Sequence, residues 1–277
     1  MKLRAPAKVN ISLRILGQRA DGFHNLESLV TTVSLADEIT IDTGIGQGVR
    51  VSCDDPAVPE NDSNLAAVAA RKFHNHTRIR FDARIAIKKR IPSGAGLGGG
   101  SSDAAAVLVA LDSIFETRLG SDGLEKIAAD IGSDVPFFIR RVPAWMRGRG
   151  EQIDPAEPLE KLHLALIKPP FAVETPWAYG NLAKSVELPG VDYAPQSWKG
   201  IEFFNDLERP VFEKYTLLPV MKAWLRGQPE CRAALMSGSG STMFAVCEDR
   251  AGARAVSGRA IEHFGSSLWT AVCDAPA

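Results

Sequence analysis

Apolar and polar residues alternate over residues 8–15, with Val9, Ile11, Leu13 and Ile15 on one face and Lys8, Asn10, Ser12 and Arg14 on the other. A period of two predicts a half-buried strand on which Lys8 and Asn10 point the same way. A turn over 17–22 follows, and 26–41 reads as two more strands broken near Ala36 and Asp37. The pattern becomes helical over 64–74, where Leu65, Val68, Ala69 and Phe73 share a side and Asn61, Asp62 or Ser63 is placed to cap. A strand over 84–89 runs into a glycine-rich turn. A helix over 101–115 comes next, with Val107, Leu108, Leu111 and Phe115 as its stripe and Ser101 or Ser102 as its cap.

Beyond it, 123–131 predicts a helix stopped by Gly132, and 135–139 a buried strand entered through Pro136. Gly, Pro and acidic residues interrupt the periodicity over 148–159, which puts a lobe boundary there and divides the chain into 1–155 and 156–277. The second lobe carries a strand over 162–167, helices over 177–184 and 218–226, a glycine-serine turn over 237–241, a strand over 243–247 and a helix over 251–264. A length of 277 residues together with this boundary favours two lobes.

Composition narrows the function classes. A chain of 277 residues that is 45% hydrophobic and 23% charged has the makeup of a soluble globular enzyme. With 32 Lys and Arg against 33 Asp and Glu it has no general basic field for nucleic acid or anionic lipid, so neither partner is expected and any anion site must be local. Cys53, Cys231, Cys247 and Cys273 form no CxxC pair and no zinc spacing, and read as reduced structural thiols. The opening MKLRAPAKVN lacks a signal-type apolar core, so the cytoplasm is the expected compartment. Nothing in the sequence sets an oligomeric state.

The local anion site is the run Pro92-Ser93-Gly94-Ala95-Gly96-Leu97-Gly98-Gly99-Gly100-Ser101-Ser102, between a strand and a helix. Free backbone N–H groups and the positive helix end converge there, and glycine lets a phosphate approach the chain. A Walker P-loop is excluded because Gly100 stands where its lysine belongs. A dinucleotide turn remains open on Gly94, Gly96 and Gly99, although the preceding Lys88-Lys89-Arg90-Ile91-Pro92 is a poor buried parallel strand. A plain connector is the other reading.

Phosphoryl transfer to an alcohol needs neutralising charge and a group to receive the hydroxyl proton. A carboxylate beside a lysine supplies both. Asp134, in a short turn before an apolar stretch, and Lys8, on the polar strand face, are the candidates. Each alone also fits a blander role, Asp134 as a turn residue and Lys8 as a solvated lysine, and their spacing does not show that they meet.

The segments Ala5-Pro6-Ala7-Lys8-Val9-Asn10, Asp21-Gly22-Phe23-His24, Pro92 through Asp103, Gly132-Ser133-Asp134-Val135-Pro136, Asn205-Asp206-Leu207-Glu208 and Ser237-Gly238-Ser239-Gly240-Ser241 run in order along nearly the whole chain. Together they resemble the GHMP kinases, and within them the branch that phosphorylates 4-diphosphocytidyl-2-C-methyl-D-erythritol. The resemblance implies an α+β, two-lobed GHMP kinase fold, with a ribosomal protein S5 domain 2-like N-terminal lobe and an α/β C-terminal lobe. It implies ATP in the glycine loop and transfer of the γ-phosphate to the acceptor's 2-hydroxyl, in non-mevalonate isoprenoid synthesis. It makes Asp134 the catalytic base, Lys8 its charge partner and Asn10 an acceptor contact. Phe23 and His24 are then cytosine-holding residues, Tyr179 the second aromatic wall, and Asn64 and Lys89 positions around the ATP base.

Phe23 departs from the tyrosine common at its site, and Ser93 and Ala95 stand where glycine is frequent. Magnesium is expected with ATP, but no carboxylate is assigned to it, and Asp103 equally suits the helix start. Asn205, Asp206 and Glu208 fit packing of the second lobe better than substrate contact. The turn over 237–241 reads equally as a second backbone nest or a plain turn. Another GHMP small-molecule kinase and a non-catalytic nucleotide-binding protein remain the alternatives.

Overall fold

The computed structural model describes residues 1–46 and 48–276. In chain order the elements are β1 (Lys2–Gln18), β2 (His24–Gly44), β3 (Val49–Cys53), α1 (Leu65–Thr77), β4 (Asp82–Lys88), α2 (Gly99–Ile114), α3 (Gly120–Ala129), α4 (Phe137–Arg140), β5 (Ala144–Gly148), β6 (Gln152–Pro155) and β7 (Leu162–Lys168). They continue with α5 (Thr175–Asn181), β8 (Gln196–Trp198), β9 (Ile201–Asn205), α6 (Glu208–Lys214), α7 (Leu217–Arg226), β10 (Cys231–Met236), β11 (Met243–Cys247), α8 (Arg250–Phe264) and β12 (Trp269–Ala275). Two compact units interleave along the sequence: residues 1–7, 36–93 and 98–142 form the first, and residues 8–35, 94–97 and 143–277 the second.

In the first unit β4 lies between β3, to which it is parallel, and residues 38–44 of β2, to which it is antiparallel. Helix α2 is buried on most sides, and its run of small residues explains how. Ala104, Ala105, Ala106 and Ala110 are fully enclosed and let α1 approach through Ala66, Ala69 and Ala70.

Four local readings are corrected in this unit. β2 is one continuous strand rather than two. Asp37 is fully buried within it, because Lys89 and two backbone N–H groups meet its charge and no solvent-facing turn is needed. Helix α1 is capped by Asn64, whose Oδ1 accepts from Ala66 N at 2.9 Å, while Asn61 Oδ1 serves its own loop through Ser63. Helix α2 begins at Gly99, ahead of Ser101 and Ser102, and no side chain caps it. Residues 135–139 form no strand: Val135 N bonds to Gly132 O and Phe138 N to Val135 O, so the chain turns into the short helix α4 after Pro136, whose torsions are already helical.

In the second unit residues 26–30 of β2 pair antiparallel with β5, and β5 forms a hairpin with β6. β1 runs parallel to β9 at Ser12 and Phe204, and β8 closes a hairpin on β9. A separate antiparallel sheet has the order β10-β11-β7-β12, with α8 packed on β7, β11 and β12 and α7 on β10 and β11. The alternation over 8–15 is present, but of the polar face only Arg14 is exposed. Lys8, Asn10 and Ser12 are buried, as Val9, Ile11 and Leu13 are. Buried polar side chains must be hydrogen-bonded, and this face is accordingly a network.

Candidate functional site

The glycine run is shaped as an anion cradle. Gly98 precedes α2 with φ of 70°, a left-handed conformation that glycine adopts without strain, and the first-turn N–H groups of α2 have no side-chain cap. Helix N-termini left open in this way attract phosphate. Ser102 Oγ is buried without a partner in the same turn. The tip of the run is fixed within the second unit: Leu97 O accepts from Lys8 N at 3.0 Å, Gly96 O from Ser237 Oγ at 3.0 Å, and Ala95 O from Thr242 N at 3.3 Å.

Both flanks of the run, in the first unit, are tied to one buried ion cluster. Lys89 Nζ donates to Asp37 Oδ2 and, at 3.0 Å, to Asp103 Oδ2 on α2. Asp37 Oδ1 accepts from Arg90 N at 2.5 Å and Ile91 N at 2.8 Å, immediately before Pro92. The Lys89 ammonium is thus engaged by two carboxylates. Burial opposes its charge, but Asp103 and Asp37 outweigh that and raise its pKa above the usual range. Burial pushes the Asp103 carboxyl up to about 7 against the pull of Lys89.

No spacing rule joins Asp37, Lys89 and Asp103, and only an acidic residue inside an apolar strand pattern hinted at the first of them. An Asp103 that holds its proton to about pH 7 when folded, against 3.8 ordinarily, costs stability as pH rises through that window. Below it both states are protonated; within it the unfolded chain ionises first. Asp103→Asn is expected to flatten the fall in urea midpoint between about pH 4 and about pH 7. An unchanged fall would put the titrating group elsewhere.

Of the remaining candidates, Lys8 and Asn10 are brought together on β1 in the second unit. Lys8 Nζ donates to Asn10 Oδ1 at 2.5 Å, and Asn10 Nδ2 donates to Ser28 Oγ at 2.8 Å. The turn over 237–241 lies against them, since a Cβ on Gly238 would stand 3.1 Å from Asn10 Oδ1 and 3.3 Å from Lys8 Nζ. His24 and Tyr179 face each other in the same unit with ring centroids 5.8 Å apart and planes tilted by 41°. Phe23, next to His24 in sequence, is exposed, with the Arg149 guanidinium over its ring at 4.7 Å. Asp134 is half-buried in the turn before α4, in the first unit. Asn64, also in the first unit, spends its amide on the α1 cap and on Pro59 O.

Among the described residues no three His, Cys, Asp or Glu side chains group as a metal cage, and no helix is long and apolar enough to cross a membrane.

An uncapped helix start after a glycine-rich turn suits an anion, and comparison with known proteins gives the class. The models for the GHMP kinases N terminal domain and the GHMP kinases C terminal match residues 64–141 and 194–265. A crystal structure of homoserine kinase from Cytophaga hutchinsonii has the same fold, at a TM-score of 0.75 and 17% identity over 99% of this chain and 93% of that one. A crystal structure of 4-(cytidine 5'-diphospho)-2C-methyl-D-erythritol kinase matches at a TM-score of 0.81 and 32% identity, covering 99% of both chains. The 4-diphosphocytidyl-2-C-methyl-D-erythritol kinase of Methylacidiphilum infernorum is 43% identical over 87% of this chain and 84% of its own length. The chain belongs to the 4-diphosphocytidyl-2-C-methyl-D-erythritol kinase family of GHMP kinases. It is an ATP-dependent kinase with the two-part, mixed helix and strand fold of that family.

Proposed function

We propose that this chain transfers the γ-phosphoryl group of ATP to the 2-hydroxyl of 4-diphosphocytidyl-2-C-methyl-D-erythritol, a step of non-mevalonate isoprenoid precursor synthesis. The observation that carries the reading is the buried Lys8–Asn10 pair in the same unit as the facing His24 and Tyr179 rings. One supplies a cation and amide for a reacting alcohol, the other an aromatic face and a ring-edge hydrogen-bonding group for a pyrimidine.

The residues divide the work. The N–H groups of the glycine run and of the first turn of α2 receive the nucleotide's phosphates, where a fixed array of donors needs no reorganisation as charge moves. Asp134 accepts the proton of the acceptor hydroxyl, and Lys8 is its charge partner. Asn10, pinned by Ser28, orients the acceptor. Phe23 keeps an aromatic face but lacks a phenol, so the polar edge of the cytosine falls to His24. Magnesium enters with the nucleotide, as it binds phosphates with few protein ligands.

Incubating the purified protein with ATP, magnesium and one acceptor at a time tests this. ADP should form with the cytidyl alcohol and not with mevalonate or homoserine. Turnover of mevalonate alone would move the chain to another GHMP activity, and nucleotide binding without turnover of any acceptor would make it a non-catalytic binder.

A further inference from the structure

We propose that Asn205 is a positioning residue that holds the Lys8 ammonium in place through the turn over 237–241; this rests on the role given to Lys8 above. Asn205 ends β9 and is almost fully enclosed. Its Nδ2 donates to Met236 O and to Gly238 O, both at 2.7 Å, and its Oδ1 accepts from Leu207 N at 2.9 Å. Both N–H groups of the amide are used, one on the end of β10 and one on the turn, and the oxygen anchors the amide to its own strand end.

Gly238, whose carbonyl Asn205 holds, is the residue that lies against Lys8 Nζ and Asn10 Oδ1. On its other side the same turn is hydrogen-bonded to the glycine loop, Ser237 Oγ to Gly96 O. The two residues after Asn205 that carry acidic side chains extend the clamp. Asp206 Oδ2 accepts from Ile15 N at 2.7 Å and Asp206 N donates to Leu13 O at 2.9 Å, so β1 is fixed beyond Lys8 and Asn10. Glu208 Oε1 accepts from Met236 N at 2.9 Å and its Oε2 takes the buried Lys222 ammonium at 2.6 Å, fixing the end of β10. One short segment therefore grips both the strand that carries Lys8 and the turn that covers it. Only a short amide donates twice while accepting once in this space. Aspartate keeps the shape and the Leu207 contact but loses both donors.

The test pairs amide hydrogen exchange with steady-state kinetics on Asn205→Asp, with Asn205→Ser run beside it so that a charge-induced folding defect in the first does not end the measurement. Exchange over 238–242 is expected to accelerate about tenfold while β7 and β11 keep wild-type protection. With the cytidyl acceptor kcat should fall about 30-fold and the KM for ATP stay within about twofold, as a small misplacement of a reacting group costs rate rather than nucleotide affinity. Unchanged exchange in the turn overturns the proposal, and so does faster exchange with wild-type kcat. A merely structural role would speed exchange through the whole second unit and leave the kcat of the folded fraction intact. If the wild type does not turn over the cytidyl acceptor, the functional reading fails on its own, while the exchange data still decide whether Asn205 holds the turn.

Discussion

Asp134→Asn is expected to bind ATP within about twofold of wild type and to turn over about 10³ times more slowly, the scale associated with losing a positioned proton acceptor. The substitution keeps the shape of the side chain in the turn that leads into α4, so the backbone bonds from Val135 N and Phe138 N that close that turn are untouched. It removes the charge and the capacity to take a proton. Nucleotide titration together with single-turnover phosphoryl transfer separates the two properties. Wild-type turnover in this variant would remove Asp134 from the mechanism, and lost ATP binding would make it a structural residue of the first unit.

Gly96→Ala is expected to lower kcat/KM for ATP by at least about 10². Gly96 sits at φ of 74°, and an added Cβ would be driven into the Ser237 carbonyl oxygen while lying 2.9 Å from that of Gly240. Backbone atoms on both sides leave nothing flexible to give way, so the loop tip and the turn must part. That breaks the Ser237 Oγ to Gly96 O bond and loosens the Lys8 N to Leu97 O bond beside it. Kinetics at varied ATP, with circular dichroism to confirm folding, measure the effect. A folded variant with wild-type kcat/KM would show that the loop tip does not need this contact.

Much of the arrangement was legible in the order of residues because the physics there is local. Three successive glycines lead into a helix whose first turn no side chain caps, and the alternation over 8–15 puts Lys8 and Asn10 on one face, where they hydrogen-bond. What local pattern does not carry is whether a polar face is wet. Lys8, Asn10 and Ser12 look solvated in a one-strand view and are buried because other segments supply Ser28 and Gly238. The same limit hid Asp37, which reads as a strand breaker until Lys89, 52 residues away, neutralises it.

Residues 135–139 show a different failure. An apolar run after proline fits a buried strand by composition, yet proline's fixed φ equally starts a helix, and hydrogen bonds from Val135 onward choose the helix. Asn205 and Glu208 read as packing residues in the sequence; the structure places Asn205 on Met236 O and Gly238 O, and Glu208 on Met236 N and Lys222. The contacts to Met236 and Gly238 join residues about 30 positions apart, which no short window of sequence contains.

The most direct test of the whole reading is phosphorus NMR of the product mixture from ATP, magnesium and 4-diphosphocytidyl-2-C-methyl-D-erythritol. A new phosphomonoester resonance coupled to the methylerythritol unit, with the cytidyl diphosphate intact and one ADP formed per product, is the expected result. Inorganic phosphate and ADP with unaltered acceptor, or phosphate placed on any other hydroxyl, would contradict it.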